Sequence, residues 1–262
     1  MTAGMSDRRA PVGRGFRDVD AQARRLDFGA YLERVARIMA AEKAASHDLL
    51  EPAPGHRLLD VGCGNGDDVR ALAGRVASTG QVVGVDHSQT MIEAARERGV
   101  PGGADFGVAD AHQLPFADGC FDAARIERTL QHVADPLRVL AEMRRVVRRD
   151  GIVVASEPDW GTLVIDSADR EATREVVRRQ CDDHTRHGWI GRQLAGYFTH
   201  LDIAAIEVRP VTLVLRSFPV AVDILGLADS GDASWLADLC DRDRHGAFLA
   251  SMTGFTVSGR VA

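Results

Sequence analysis

The 262-residue sequence has few cysteines, no long apolar segment and no excess of basic side chains. Its four cysteines lie far apart and form no CxxC pair, which argues against a zinc site and against a disulfide framework. No apolar run approaches the roughly 20 residues that span a bilayer, so we expect no membrane span. The net charge is −6 and the isoelectric point about 5.8, whereas nucleic-acid-binding domains are usually basic. We therefore expect no nucleic-acid partner.

The beginning of the chain carries no pattern of a secretory signal. Met1–Val19 is polar, contains arginines and lacks the apolar segment of such a peptide. We interpret residues 1–18 as a mobile arm and expect a cytoplasmic protein. The remaining length fits one large domain, residues 19–262, in a monomer or a homodimer.

The apolar pattern alternates between strands and helices. Apolar residues at helical spacing predict one long or broken helix within 19–50. Strands are predicted at 57–61, 81–86, 104–108, 121–126 and 152–156, at 203–208 and 211–215, and within 248–261. Helical patterns at about 160–200 and 217–245 predict a cap and substrate region. The expected fold is α/β, with a doubly wound, mostly parallel seven-stranded sheet, an N-terminal helix and a helical cap after strand five.

The most informative segment is a glycine-rich turn after the first predicted strand. Asp60 precedes Gly62-x-Gly64-x-Gly66, and the second strand ends in Asp86. Glycine lets the backbone approach a ligand closely, and a carboxylate at a strand end accepts hydrogen bonds from ribose hydroxyls. This order predicts an adenosine-binding site. The spacing differs from that of dinucleotide sites, and the Asp60 carboxylate suits an ammonium group better than a pyrophosphate.

Four segments resemble the class I S-adenosylmethionine-dependent methyltransferases, in the branch similar to ubiquinone and menaquinone methyltransferases and the small-molecule type 11 group. These segments are LLDVGCGNG (58–66), VVGVDHSQTMIEAAR (82–96), VADAHQLPFADGCFDAARIERTLQHVADP (108–136) and LAEMRRVVRRDGIVVASEPDW (140–160). The resemblance covers about residues 55–160. It implies a Rossmann-like methyltransferase fold, S-adenosylmethionine as cofactor and S-adenosylhomocysteine as product.

The resemblance also implies roles for single residues. The methionine end of the cofactor would lie along the glycine loop and the ribose at Asp86. The adenine amino group would donate to Asp110, and the amide of Ala111 would donate to the ring. The cofactor-binding residues expected on this basis are Asp60, Gly62, Gly64, Asn65, Gly66, Asp86, His87, Met91, Asp110, Ala111 and Glu127.

The segment after the fourth strand is expected beside the reacting methyl group. Glu127 and Arg128 are a departure there, because the family more often has an uncharged residue. The two side chains form either an ion pair that shapes the pocket or a contact with the substrate. His132 is the candidate general base, with a structural histidine at a helix end as the alternative.

Aromatic and basic residues of the predicted N-terminal helix and cap are candidates for the acceptor pocket. The substrate-binding residues expected are Tyr31, Arg128, Trp160, His184, Trp189 and Arg192. Trp160 has a second interpretation as a core residue under the cap. His184 and His187 have a spacing that can bind a metal on a helix, but no third ligand is evident, and we expect no metal.

The sequence therefore predicts a methyltransferase that acts on a small-molecule acceptor, a secondary metabolite or quinone-like compound, by in-line methyl transfer. One alternative keeps the cofactor but promotes cyclisation or rearrangement without methyl transfer. Another is a non-catalytic regulatory subunit.

Overall fold

The computed structural model describes residues 19–22, 28–227 and 230–262, which form one mixed sheet flanked by helices. The predicted arm, residues 1–18, lies outside the described residues. The strands are β1 (Arg57–Val61), β2 (Gln81–Asp86), β3 (Ala104–Val108), β4 (Phe121–Glu127), β5 (Val147–Pro158), β6 (Val164–Ile165), β7 (Ile203–Leu215) and β8 (Ala250–Val261). The helices are α1 (Val19–Gln22), α2 (Phe28–Ile38), α3 (Ala40–Asp48), α4 (Asp67–Val76), α5 (Gln89–Glu97), α6 (Pro136–Val146), α7 (Arg170–Arg178), α8 (Ile190–His200), α9 (Phe218–Leu225) and α10 (Ala233–Arg244).

The strand order places a ligand-binding crevice at β1. The strands lie in the order β3-β2-β1-β4-β5-β8, with β7 on the far edge of β8 and β6 paired to the start of β8. Strands β1 to β5 are parallel, and β8 is antiparallel to β5 and β7. Because β1 lies between β2 and β4, the winding direction reverses there, and ligands bind at the carboxyl ends of such strands. The predicted doubly wound, mostly parallel sheet is confirmed.

Two details differ from the predicted elements. Residues 203–215 form one strand, β7, instead of two, because Pro210 lies on an edge strand where a missing N–H is tolerated. The two-residue strand β6 makes the described sheet eight-stranded where seven strands were expected. The N-terminal helical region has the broken form of the two that were predicted, since α2 ends at Ile38 and α3 begins at Ala40.

Helices cover both faces of the sheet. Helices α4 and α5 bury Leu72 and Ile92 on one face, and α6 and α8 bury Leu140 and Phe198 on the other. The start of α5 follows a sequence signal, because the Ser88 hydroxyl accepts a hydrogen bond from the Met91 amide at 3.1 Å. This N-cap places α5 directly after the carboxyl end of β2.

A separate apolar cluster joins the N-terminal helices to the cap. Tyr31 and Val35 of α2 pack in one cluster with Ile224 of α9, Trp235 of α10 and Phe248. Helix α2 and the two predicted cap stretches therefore share a core of their own beside the sheet. None of the helices in the described part of the chain has the length and apolarity to cross a membrane.

Candidate functional site

A cavity of about 550 Å³ lies at the carboxyl ends of the central strands. Its volume is in the range of about 300–1,000 Å³ that is usual for small-molecule sites. One wall consists of the glycine loop and the ends of β2, β3 and β4, and the opposite wall comes from α2, the π-helical turn 179–184 and α9. Parts of the chain that are remote in sequence thus enclose one chamber.

Two features of the loop require glycine, its left-handed backbone conformation and the lack of room for a Cβ atom. Gly62, Gly64 and Gly66 have φ values of 73°, 52° and 80°, in the left-handed region that favours glycine. A Cβ at Gly62 would lie 2.2 Å from Thr129 Oγ1, and one at Gly66 would lie 2.5 Å from the Phe106 ring. The loop therefore passes close to its neighbours and leaves its inner side to the cavity, where Gly62, Gly64 and Asn65 form part of the lining.

Asp86 is held in place at the end of β2. Its Oδ2 accepts a hydrogen bond from the Gly64 amide at 3.0 Å, and its Oδ1 accepts one from the Ser88 amide at 3.0 Å. The side chain is 11% exposed and lines the cavity together with exposed His87 and buried Met91. A carboxylate oxygen accepts more than one hydrogen bond, so Asp86 retains the capacity to accept from two ribose hydroxyls.

Asp110 and Ala111 lie farther along the same wall. Asp110 Oδ1 accepts from the His112 amide at 2.9 Å and lies 2.7 Å from His112 Nδ1. These contacts with His112 lower the pKa of Asp110, so the carboxyl is charged at neutral pH. The residue is largely exposed, and both contacts involve the same carboxylate oxygen.

A cluster of buried charges underlies the glycine loop. Arg125 of β4 lies between three acids, with 3.2 Å from Nη1 to Asp60 Oδ1, 2.9 Å from Nη1 to Asp68 Oδ2, and a contact with Glu127. Lys43 of α3 also binds two of these acids, at 2.6 Å to Asp68 and 3.1 Å to Glu127. The cluster connects α3, α4, β1 and β4.

This cluster argues against one of the two alternatives for Glu127 and Arg128, an ion pair between their side chains. Within the described residues, Glu127 forms its ion pairs with Lys43 and Arg125 instead. The physical reason is alternation along β4, which places residues 125 and 127 on the same face and residue 128 beyond the end of the strand. Arg128 has a φ of 52° and donates from Nη2 to the Tyr31 hydroxyl at 2.7 Å.

The sequence reasoning missed Lys43, Asp68 and Arg125. The single signal that could have found them is Arg125 itself, a charged residue within a strand that is otherwise mostly apolar. A charge in a buried strand needs a partner, but sequence does not show which acids provide it.

Asp60 lines the cavity beside the glycine loop and has one unsatisfied oxygen. Burial raises the pKa of Asp60 to about 7, and the charge of Arg125 offsets only part of this effect. Its Oδ2 is buried and has no hydrogen-bond partner among the described residues. An unpaired carboxylate oxygen in a buried site fits a cationic donor such as an ammonium group. The residues present therefore fit the amino-acid end of S-adenosylmethionine.

The other end of the cavity contains most of the residues expected to contact an acceptor. Tyr31, Arg128, His132, Trp160 and His184 all line it. Their contacts involve neighbouring amides: Trp160 Nε1 donates to Gln131 Oε1 at 2.9 Å, and His184 Nδ1 lies 3.2 Å from Gln180 Oε1. Trp160 also packs against the cluster of α2 and the cap, so it both lines the cavity and belongs to the packing under the cap.

The turn that carries His132 is fixed by a buried acid. Glu157 Oε1 accepts hydrogen bonds from the amides of Thr129 and Leu130 at 2.7 and 2.6 Å. Burial raises the pKa of Glu157 to about 8 in spite of these hydrogen bonds. The contacts hold the start of the segment 129–134, most of which faces the cavity.

Trp189 and Arg192 are not brought to the cavity. The Trp189 side chain is 51% exposed and stacks with the Arg192 guanidinium, 4.6 Å from the ring centroid. Arg192 Nη2 bonds to Oδ1 of buried Asp159 at 2.6 Å. This ion pair turns Arg192 away from the chamber, so the expectation that these two residues line the acceptor pocket needs correction.

The histidines of the cap do not assemble a metal site. His187 Nε2 lies 3.0 Å from the Val133 carbonyl oxygen. The described residues contain no group of three or more His, Cys, Asp or Glu placed to hold a metal ion.

Comparison with known proteins agrees with this geometry. Residues 59–155 match a family model described as a methyltransferase domain. Over 244 residues the chain is 40% identical to an uncharacterised 37.1 kDa protein in a Streptomyces fradiae transposon, covering 88% of this chain and 70% of that protein. Over 112 residues it is 40% identical to the demethylmenaquinone methyltransferase of Staphylococcus aureus, covering 42% of this chain and 46% of that enzyme.

A solved structure shows the same fold. The geranyl diphosphate C-methyltransferase of Streptomyces coelicolor, in complex with Mg²⁺, geranyl diphosphate and S-adenosylhomocysteine, has a TM-score of 0.57 at 16% identity. The match covers 88% of this chain and 82% of that one.

Proposed function

Because the chain belongs to the class I S-adenosylmethionine-dependent methyltransferases, we propose that it methylates a small-molecule acceptor, a secondary metabolite or quinone-like compound. The observation that carries this proposal is the single cavity that joins the glycine loop to a chamber under α2 and the cap. A chamber of this size has room for a small acceptor next to the cofactor.

S-adenosylmethionine is the cofactor, and the wall of the cavity formed by β1, β2 and β3 holds it. We assign its amino-acid end to Asp60 and the glycine loop, its ribose to Asp86, and its adenine to Met91, Asp110 and Ala111. When bound, it supplies a methyl carbon on a cationic sulfur, which a nucleophile attacks while the neutral thioether leaves. The protein has to align the nucleophile and exclude water.

The remaining walls favour an acceptor with apolar surface. Leu32 and Val35 of α2 face the chamber together with Trp160, Ile224 and Leu225. These side chains come from the cluster that joins α2 to the cap, or pack against it. They keep water from the reacting atoms and provide contact area for a ring or an alkyl chain. The similarity to a demethylmenaquinone methyltransferase supports the same class of acceptor.

We assign His132 the role of general base. It faces the cavity from the turn after β4, and Glu157 fixes the start of that turn. An imidazole there takes a proton from an acceptor hydroxyl or an acidic carbon as the carbon of the methyl group bonds to it. We further propose that the protein works without a metal, as a monomer or homodimer in the cytoplasm.

The test is transfer of a labelled methyl group. The purified protein is incubated with methyl-deuterated S-adenosylmethionine and a metabolite extract from a host strain that lacks the gene. We expect a product three mass units heavier than its unlabelled counterpart, and fragmentation identifies the methylated atom. Cofactor binding without any labelled product would contradict methyl transfer. A change in the extract that needs the cofactor but incorporates no label would indicate cyclisation or rearrangement instead.

A further inference from the structure

The charges that line the main cavity are segregated by sign. The acids of its lining lie at the cofactor end, on the glycine loop and at the ends of β2, β3 and β4. These acids are Asp60, Asp67, Asp68, Asp86, Asp110 and Glu127. Lys43 and Arg125 bind to Asp68 and Glu127 within the buried cluster. The cofactor end thus complements a cationic ligand.

The acceptor end has the opposite character. Its basic lining residues are Arg128, His132, His184 and Arg186, and its other polar groups include the Tyr31 hydroxyl and the neutral amides of Gln131 and Gln180. No acid of the described lining lies on the cap or on α2. Potentials in binding sites complement their ligands, so this end favours a ligand with negative charge.

Arg128 is the residue at this end whose geometry is most specific. It is half-buried, and its φ of 52° is unusual for a residue other than glycine. Such a conformation is energetically unfavourable and is concentrated at functional sites. The left-handed backbone turns the chain after the end of β4 and directs the guanidinium to the Tyr31 hydroxyl.

No carboxylate within the described residues forms an ion pair with Arg128. The nearby acids have other partners: Glu127 pairs with Lys43 and Arg125, and Glu157 accepts from backbone amides. Burial raises the pKa of Glu157 to about 8, so this carboxyl is mostly neutral at pH 7 and does not balance the guanidinium. The charge of Glu127 favours the charged guanidinium, but no carboxylate of the described residues is in direct contact with it, so a ligand anion could bind it directly.

Arg128 also lies between two cavities. It lines the main chamber and a smaller cavity of about 60 Å³. Val35, Glu127, Trp160 and Ile224 are also shared by both. The smaller cavity is otherwise lined largely by apolar side chains such as Met252, together with Ser156 and Glu157. A guanidinium at this junction offers donors to a group bound at the end of the chamber.

Resting on the proposed function, we propose that Arg128 binds an anionic oxygen group of the acceptor, a carboxylate or a phosphate. The guanidinium has five N–H donors, and the Tyr31 hydroxyl occupies one site. The planar fork matches two oxygens of either anion, which would fix the acceptor against the methyl donor. Arg128 is then a specificity-determining residue, and the acceptor is an acidic compound with an apolar body.

The experiment is ligand capture that does not need turnover. Protein saturated with S-adenosylhomocysteine is incubated with the metabolite extract, separated by ultrafiltration, and its retained compounds are identified by mass spectrometry. Wild type is compared with Arg128→Gln, Arg128→Lys and the control Arg209→Gln, which changes an exposed arginine of β7. Affinity for S-adenosylhomocysteine, measured by calorimetry, reports whether each variant is folded.

We expect wild type and Arg209→Gln to retain one or more compounds that are anions at pH 7.5. The amount of these compounds retained by Arg128→Gln should be about 10- to 100-fold lower, the loss expected for charge-assisted hydrogen bonds. Arg128→Lys should retain more than Arg128→Gln but less than wild type. Affinity for S-adenosylhomocysteine should stay within about twofold. Treatment of the captured compounds with a phosphatase distinguishes a phosphate from a carboxylate, because only a phosphate monoester is cleaved.

Retention of neutral compounds alone, retention of no compound, or undiminished retention by Arg128→Gln would each overturn the inference. Its failure is distinguishable from failure of the proposed function. Anions captured through Arg128 without any labelled product in the deuterium experiment would contradict methyl transfer and support the role of Arg128. A labelled product that is neutral at pH 7.5 would support methyl transfer and contradict the role of Arg128.

Discussion

Arg125 and Asp60 form an ion pair inside the sheet, with 3.2 Å between Nη1 and Oδ1 and side chains that are 2% and 3% exposed. The two residues are register partners on the neighbouring parallel strands β4 and β1. This pairing places a guanidinium directly below the glycine loop. The loop and its acidic residue are therefore coupled to the end of β4, where the acceptor chamber begins.

Removal of Arg125 should strongly destabilise the protein. Arg125→Met would leave Asp60, Asp68 and Glu127 close together. Lys43 would still contact Asp68 and Glu127, and His47 would still contact Asp68. Breaking a buried ion pair costs about 3–5 kcal/mol because the remaining charges are uncompensated. Urea unfolding measures the change, and Arg149→Met, at an exposed position, is the matched control. A loss as small as that of the control would show that the cluster contributes little to stability.

Affinity for the cofactor product should depend on pH through Asp60. Burial raises the pKa of this carboxyl to about 7, so it is mostly neutral at pH 6 and mostly charged at pH 8. A ligand ammonium group prefers the charged form. The affinity for S-adenosylhomocysteine should therefore rise between pH 6 and 7.5, by at most about tenfold per pH unit.

Calorimetry across this range tests the role of Asp60, with release of a proton on binding as a second readout. Asp60→Asn should bind more weakly at pH 7.5 and lose most of the pH dependence. A wild-type affinity that is constant from pH 6 to 7.5 would contradict the assignment.

Asp86→Ala should weaken binding of S-adenosylmethionine by about 1–3 kcal/mol, the loss expected for charge-assisted hydrogen bonds. The same carboxylate accepts from the amides of Gly64 and Ser88, so part of this effect comes from a looser loop. Asp86→Asn retains acceptor capacity on one oxygen and should lose less. Calorimetric affinity equal to that of wild type in Asp86→Ala would exclude the proposed ribose contact.

The stability of the protein should fall as the pH rises towards 8 because of Glu157. Its pKa of about 8 in the folded protein lies above the value of about 4.3 expected in an unfolded chain. Between these values the folded state retains a proton that the unfolded state has released. As the pH rises between these values, the free energy of unfolding should therefore decrease by up to about 1.4 kcal/mol per pH unit.

Glu157→Gln is the matched variant, since it keeps an acceptor for the Thr129 and Leu130 amides but does not titrate. Urea unfolding at pH 6 and pH 8 should show a smaller fall for this variant than for wild type. Equal falls in both proteins would show that Glu157 is ionised in the folded state.

His132→Ala should slow methyl transfer by about 10²- to 10⁴-fold, as expected for loss of a general base, without changing affinity for S-adenosylhomocysteine. The readout is the rate of labelled product from the same extract. His200→Ala, an exposed residue at the end of α8, serves as the control. Full activity in His132→Ala would assign this histidine a structural role.

The elements of the Rossmann-like core and the glycine-rich loop could be predicted from the sequence alone. Strands β1, β2 and β3 begin and end at the predicted residues, because apolar periodicity and flanking glycines are local signals. The Ser88 N-cap is a local signal of the same kind for the start of α5. The turn with glycines at 62, 64 and 66 and the acid at the end of β2 are also local features. Their spacing along the chain is enough to predict them, and the three glycines have positive φ values.

The pairing of the charged residues, and which cap residues reach the chamber, could not be predicted without the tertiary structure. Arg125 meets Asp60 through strand register, and Lys43 joins them through the packing of α3, contacts between residues far apart in sequence. Arg128 points to Tyr31 because the chain turns after β4, and Arg192 binds Asp159 instead of facing the cavity. Such pairings depend on packing between elements, which no local pattern specifies.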